Sequence, residues 1–334
     1  MRIGSSITLR KKVTSIVAYA AIIVFLALLP TLGLPVYPMH TLIGVFIWII
    51  VASSLRLLDL SGQGSIGHAA FMAIGAYTSG ILAKFLGWSP WITMPIGVIA
   101  TAAVAFLVAV PFTRVRGIYF TMVSLFFGIG VLAVNQVFSK FTGGYSGIGS
   151  IPLLFGYDKT PYYYFCLVLL VVCLGIIYRL EHSRIGLTWK AVAQSHSVAS
   201  SIGINESWQR ILCLGVSCCI AGIAGVAYAH YYSLLTQDTF SFNTSINVFV
   251  YMTVGGPRYF AGPILGTAAL ILIPEQLRSL REYVPFIFAG ILLIVLFLMP
   301  QGLAGLLEQF KQKFARSSKT ESVETDDGVS KRVP

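Results

Sequence analysis

Apolar runs recur from near the start of the chain to residue 305, and that repetition leaves few folds open. They cover 14–32, 39–58, 66–86, 90–111, 117–138, 161–180, 209–235, 244–257, 262–277 and 285–305. Each of the first seven reaches the roughly 20 residues that a helix needs to cross a hydrocarbon core of about 30 Å. The eighth and ninth are short, so they read as broken helices or a re-entrant pair, tolerable only where protein or water shields the backbone. A chain that is 56% hydrophobic and 10% charged agrees. The expected fold is an all-α polytopic membrane protein with about ten transmembrane segments (8–10), some short or broken.

The net charge of +11 is explained by sidedness rather than by nucleic acid, because the basic residues stand between the apolar runs. With the N-terminus inside, Arg56, Arg114, Arg116, the cations from Arg179 to Arg210, Arg258 and the tail cations Lys311, Lys313, Arg316 and Lys319 are cytoplasmic. Of the 23 basic residues only Lys84, Lys140, Lys159, Arg278 and Arg281 then lie outside. Both termini are expected in the cytoplasm. Residues 1–13 form a cytoplasmic N-terminus, 14–308 the transmembrane domain, and 309–334 a polar, mixed-charge tail expected to be disordered. The basic residues at 10–12 before an apolar run resemble a signal peptide, but no small-residue cleavage site follows, so an uncleaved first helix is expected. The stretch 139–161 is a Gly-rich outer loop.

Several chemistries lack their residues. A P-loop needs glycines followed by Lys and Ser or Thr, and the sequence contains no Gly-Lys dipeptide. No HExxH or nucleophile elbow occurs, the five histidines are scattered, and the five cysteines sit within apolar runs. No catalytic, cofactor or metal residues are therefore assigned, and an enzyme is not expected.

Polar residues inside the spans are few: His68, Asn135 with Gln136, His230, and Glu275, spaced for a pair with Arg278. The absence of an acidic chain along the spans weakens an ion-coupled carrier. Small residues are many. Gly62, Gly67 and Gly75 lie in SGQGSIGHAAFMAIGAYTSGIL, and Gly255, Gly256, Gly262 and Pro263 in GGPRYFAGPILG. Tight helix packing is the plainer reading. The sharper one makes these residues, with His68, helix breaks that line a translocation path.

One stretch of mixed polarity interrupts the apolar pattern, within a loop at about 181–208. In KAVAQSHSVASSIGIN, residues 190–205, the apolar positions Ala191, Val192, Val198, Ala199 and Ile202 recur near helical spacing and Gly203 reads as a helix stop. A short amphipathic helix with a small apolar face is expected there. Without a large aromatic or leucine face it suits a groove on a cytoplasmic partner better than a membrane surface.

Several signatures, in order, give the chain its resemblance: SIGHAAFMAIGAYT at 65–78, RGIYF at 116–120, TGGYSGI at 142–148, SIGIN at 201–205, a Gly-Gly and Gly-Pro pair within 255–263, PEQLR at 274–278 and PQGLAGL at 300–306. The chain resembles the LivM-type permease subunit of bacterial branched-chain amino acid ABC importers, from the first span to residue 307. The resemblance implies an ABC importer permease in the inner membrane, working with a second, LivH-like permease, two ABC ATPase subunits and a soluble substrate-binding protein. ATP would be used by the partners, with no cofactor on this chain. It also implies that Lys190, Ala191, Gln194, His196, Ala199, Gly203, Ile204 and Asn205 belong to a coupling helix seated in the ATPase. Gln194, His196 and Ser200 stand where such permeases usually carry acids, and Pro257 and Arg258 replace an apolar-plus-Gly pair. A urea or short-amide importer is the alternative within the resemblance. An ion-coupled carrier or channel is the alternative outside it.

Overall fold

In the computed structural model, residues 21–33, 35–276, 286, 289–290, 293, 297 and 302–306 are described. The expected N-terminal segment 1–13, the tail 309–334, Arg278 and most of 285–305 lie outside them. Helices follow one another as α1 (Ala21–Leu32), α2 (Val36–Asp59), α3 (His68–Phe85), α4 (Pro90–Phe112), α5 (Ile118–Val137) and the single turn α6 (Ser139–Thr142). After these come α7 (Lys159–Glu181), α8 (Arg184–Gln194), α9 (His196–Ser201), α10 (Glu206–Tyr232), α11 (Phe242–Gly255) and α12 (Gly262–Gln276).

Among the described residues, five helices are long and apolar enough to cross a membrane: α2, α4, α5, α7 and α10. The protein is thus a multi-pass helical membrane protein. The expected count of about ten crossings is not reached among these residues, because α3, though 18 residues long, is diluted by His68, Tyr77, Thr78, Ser79, Lys84 and its glycines, and α11 and α12 have only 14 and 15 residues. Burial sorts the long helices. α2 and α10 are apolar on all sides and mostly covered by protein, as buried membrane helices are, whereas α5 leaves most of its surface uncovered. α10 packs on α2, α3 and α4, and α2 also meets α7, α11 and α12.

Close approach of backbones holds the centre. Gly75, Gly97, Gly222 and Gly225 stand where α3, α4 and α10 cross, and a Cβ on Gly225 would overlap the Met72 carbonyl. Without a hydrophobic driving force between helices in lipid, small residues that admit such approach supply the packing.

Two stretches of non-helical backbone run inside the bundle. Residues 60–67 join α2 to α3, and two of their backbone polar groups are met by side chains of α5. Thr121 Oγ1 donates to the Gly64 carbonyl at 2.8 Å, and the Ile66 amide donates to Ser124 Oγ at 3.1 Å. The second stretch descends from the end of α10 at Tyr232 to Phe240, whose ring lies 5.8 Å from that of Tyr77 midway along α3. Gln237 Nε2 donates to the Leu132 carbonyl at 3.2 Å and accepts at Oε1 from Gln136 Nε2 at 2.6 Å. Only then does α11 begin, so this short segment is an irregular half joined to a helical half.

The two ends of the bundle differ. At one end His40 Nδ1 and the Tyr231 hydroxyl lie 2.6 Å apart, and the strands β1 (Ile148–Gly149) and β2 (Leu234–Leu235) pair antiparallel. The glycine-rich loop expected at 139–161 thus contains α6, a 3-10 turn and β1, and Gly143 and Gly147 take positive φ at its corners. At the opposite end gather Arg56, Arg116, Arg210 and the helices α8 and α9.

Candidate functional site

The mixed-polarity stretch folds through local capping devices. Ser183 caps α8 by accepting from the Gly186 amide, Ser195 caps α9 by accepting from the Val198 amide, and Asn205 caps α10 by accepting from the Trp208 amide at 3.1 Å. Gly203, at φ +83°, ends α9: its amide donates to the Ser200 carbonyl and the next amide, Ile204, donates to the Ala199 carbonyl. That bond pair is the Schellman termination, which needs the left-handed conformation glycine adopts without strain.

The single helix expected across 190–202 is two helices. Ser195 is extended, at φ −159°, so α8 stops at Gln194 and α9 starts at His196. A serine whose hydroxyl caps the next turn competes with helix continuation, and that local bond breaks the run. The face also differs from the expected one. Ala199 is 1% exposed and Val192 is buried, whereas Val198 and Ile202 are 61% and 70% exposed. The apolar surface offered outward is Val198 with Ile202, not Ala199.

Two ion clusters anchor this helix pair. In the first, Arg56 of α2, 1% exposed, grips Glu181 of α7 through both guanidinium nitrogens, Nη1–Oε2 at 2.8 Å and Nη2–Oε1 at 2.9 Å. Lys190 of α8 joins at Glu181 Oε1, 3.0 Å away. Arg56 Nε donates to the Pro257 carbonyl at 2.8 Å, and its guanidinium carbon lies 5.9 Å from the Phe260 ring centroid. One arginine therefore touches α2, α7 and the turn joining α11 to α12, and through Glu181 it reaches α8. The planar fork matches a carboxylate with two parallel bonds, which a lysine cannot do.

In the second cluster Glu206, the first residue of α10, meets Arg116 Nη2 at 2.8 Å and Arg210 Nη1 at 3.4 Å. His196 Nδ1 of α9 lies 3.0 Å from Glu206 Oε1, close but not aligned as a hydrogen bond. Arg210 also donates to the carbonyls of Thr113 and Val115, capping the end of α4. The helix pair thus meets α7 and α2 through Lys190 and approaches α10 through His196.

The sequence profile of the family described as "branched-chain amino acid transport system / permease component" matches residues 37–299. The chain belongs to that family. It is 29% identical over 288 residues to the high-affinity branched-chain amino acid transport system permease protein LivM of Escherichia coli (strain K12), covering 77% of this chain and 67% of that protein. The LivM protein of Salmonella typhimurium matches equally. The permease protein LivH of Escherichia coli (strain K12) is 28% identical over 143 residues, 42% of this chain and 46% of that protein. No solved structure matches the chain.

In this permease the other expected path residues are placed as follows. His68 is buried at the start of α3, with Nε2 2.8 Å from Ser54 Oγ. Gly67 sits against the Ser124 carbonyl of α5, and Gly75 against Gly222 of α10. Gly62 approaches Ala193 of α8. Gly255, Gly256 and Gly262, the last followed by Pro263, lie where α11 and α12 cross backbone to backbone. Gln194 is exposed, while Lys190 and Ala191 are half-buried. Arg56, Glu181 and Glu206 were not singled out as site residues. Their signal was scarcity: the sequence has 12 acidic residues, and between the first and last apolar runs only Asp59, Glu181 and Glu206 fall on the side rich in cations.

Proposed function

We propose that the chain is a transmembrane permease subunit of an ATP-driven importer for branched-chain amino acids in the bacterial inner membrane. Family membership supports the transport role, and the names of the LivM and LivH relatives support the solute class. The observation that carries the mechanism is the clamped helix pair. α8 and α9 hold Val198 and Ile202 outward while Lys190 pairs with Glu181 of α7 and His196 lies beside Glu206 of α10. A partner seated on 190–205 would pull on α2 and α7 through one cluster and on α5 and α10 through the other. Exposed apolar side chains among serines suit a groove on a soluble ATPase.

In this reading the basic end faces the cytoplasm, as the positive-inside rule favours, and both termini lie on that side. Two ABC ATPase subunits bind the ATP, a second permease completes the pore, and a soluble binding protein delivers solute at the end bearing β1 and β2. Closure of the ATPases tilts the bundle halves and alternates access.

The test is uptake of labelled leucine and labelled urea by vesicles containing this chain with its ATPases, second permease and binding protein. Leucine accumulation that requires ATP and every partner is expected, with urea excluded. Accumulation by this chain alone, or labelling of residues 190–205 only from the periplasmic side, would overturn the assignment.

A further inference from the structure

The geometry points to a solute site between α3, α4 and α5, built around Tyr77 and Asn135 and fitted to a net-neutral amino acid with a branched aliphatic side chain. The proposal rests on the importer reading for the identity of the solute, but its place comes from the cavity itself. That cavity measures about 770 Å³, and Phe138 and Phe141 are among its lining residues.

Helix register explains why these two polar residues meet. α3 and α5 run in the same direction: Gly67 touches Ser124, Phe71 stacks on Phe127 with centroids 4.9 Å apart, and Phe85 meets Phe141 at 5.8 Å. Counting ten residues from Gly67 and eleven from Ser124 brings Tyr77 and Asn135 to nearly one level, since each residue adds about 1.5 Å of rise to either helix. Tyr77 is 4% exposed and Asn135 is 8% exposed, and both line the cavity. Neither the Tyr77 hydroxyl nor the Asn135 side-chain nitrogen has a hydrogen-bond partner among the described residues. Two buried unpartnered donors at one level of a recess that is apolar apart from Thr78 and Thr142 are costly, and a ligand that accepts from both, once the side chains turn into the recess, removes the cost.

The lining specifies the ligand. Among the described residues it holds no acid, lysine, arginine or histidine, so a solute with net charge finds no counter-ion there. Tyr77 O–H and Asn135 N–H both donate, which suits the carboxylate of a zwitterion. Ile74, Ile81, Val131 and Val134 supply branched aliphatic surface for an isobutyl or isopropyl group. Urea has no apolar part to bury and gains nothing from that wall.

Gly130 gives the test, because a Cβ there meets nothing within 4 Å while the residue lines the cavity. In the assembled importer with Cys219→Ser, Gly130→Cys is labelled with a maleimide with and without leucine or urea, and ATP-driven uptake is measured in the same membranes. Leucine is expected to slow labelling and urea is not. Tyr77→Phe is expected to raise the half-protecting leucine concentration about tenfold, the scale of one lost hydrogen bond to a charged group. Unchanged labelling with leucine would overturn the site even where ATP-driven uptake persists, leaving a cavity filled by lipid chains. Protection without ATP-driven uptake would uphold the site and remove the importer reading instead.

Discussion

Arg56 and Glu181, 125 residues apart in sequence, form a two-pronged ion pair that is almost wholly shielded from solvent. Deleting one partner leaves the other charge buried, which costs about 3–5 kcal/mol. Arg56→Gln and Glu181→Gln should each lower the thermal midpoint of the purified protein substantially, whereas Arg56→Met with Glu181→Leu should lose less than either single change. Unchanged midpoints in both single variants would show that the pair is not formed in the membrane.

Val198 and Ala199 are neighbours with opposite fates, so they separate docking from folding. Val198→Asp should leave membrane levels intact while abolishing co-purification of the ATPase and leucine uptake. Ala199→Asp should instead lower the membrane level itself, by burying a charge inside the helix pair. Immunoblots beside a pull-down read both, and normal ATPase capture by Val198→Asp would count against this docking face.

Gly203 is open in space but held at φ +83°. Replacing it by Val adds a left-handed penalty of roughly 1–2 kcal/mol to the end of α9 with no steric clash. Faster proteolysis near residue 203 is expected, with the rest of the chain protected. Cleavage unchanged from wild type would show that the Schellman turn does not set the stability of α9.

Gly225 and Gly175 lie in long helices with opposite surroundings. A Cβ at Gly225 overlaps the Met72 carbonyl, while one at Gly175 meets nothing within 4 Å. Gly225→Ala should destabilise by about 1–3 kcal/mol, as overpacking does. Gly175→Ala should be neutral or slightly stabilising, because alanine favours the helix. Equal thermal midpoints would contradict the α3–α10 crossing.

The helical class and several local features were legible in the residues, because both depend on neighbours in sequence. Apolar runs located α2, α4, α5, α7 and α10, and Gly203 announced the end of α9. The break at Ser195 was missed because a capping serine and a helix-interior serine look alike until the backbone turns. Ala199 and Val198 were read alike because periodicity finds an apolar face without saying which neighbour covers it. The irregular half at 233–241 falls mostly in the gap between the runs 209–235 and 244–257, and a polar gap does not say that its chain folds back inside the bundle, where Leu235 and Phe240 are buried. Arg56 was legible only as a mark of sidedness. Its carboxylate partner lies at the far end of another span, and nothing in the order of residues fixes which helix ends meet.

α10 carries Glu206 at its first residue and reaches Tyr232 next to the paired strands without an internal proline. Its 27 residues make a rod of about 40 Å, so a swing of about 5° at one tip sweeps the other by roughly 3.5 Å. Under the proposed importer mechanism, handle and rim would then belong to one helix, and no chain of intermediate side chains would be needed to carry a stroke from one end of the bundle to the other.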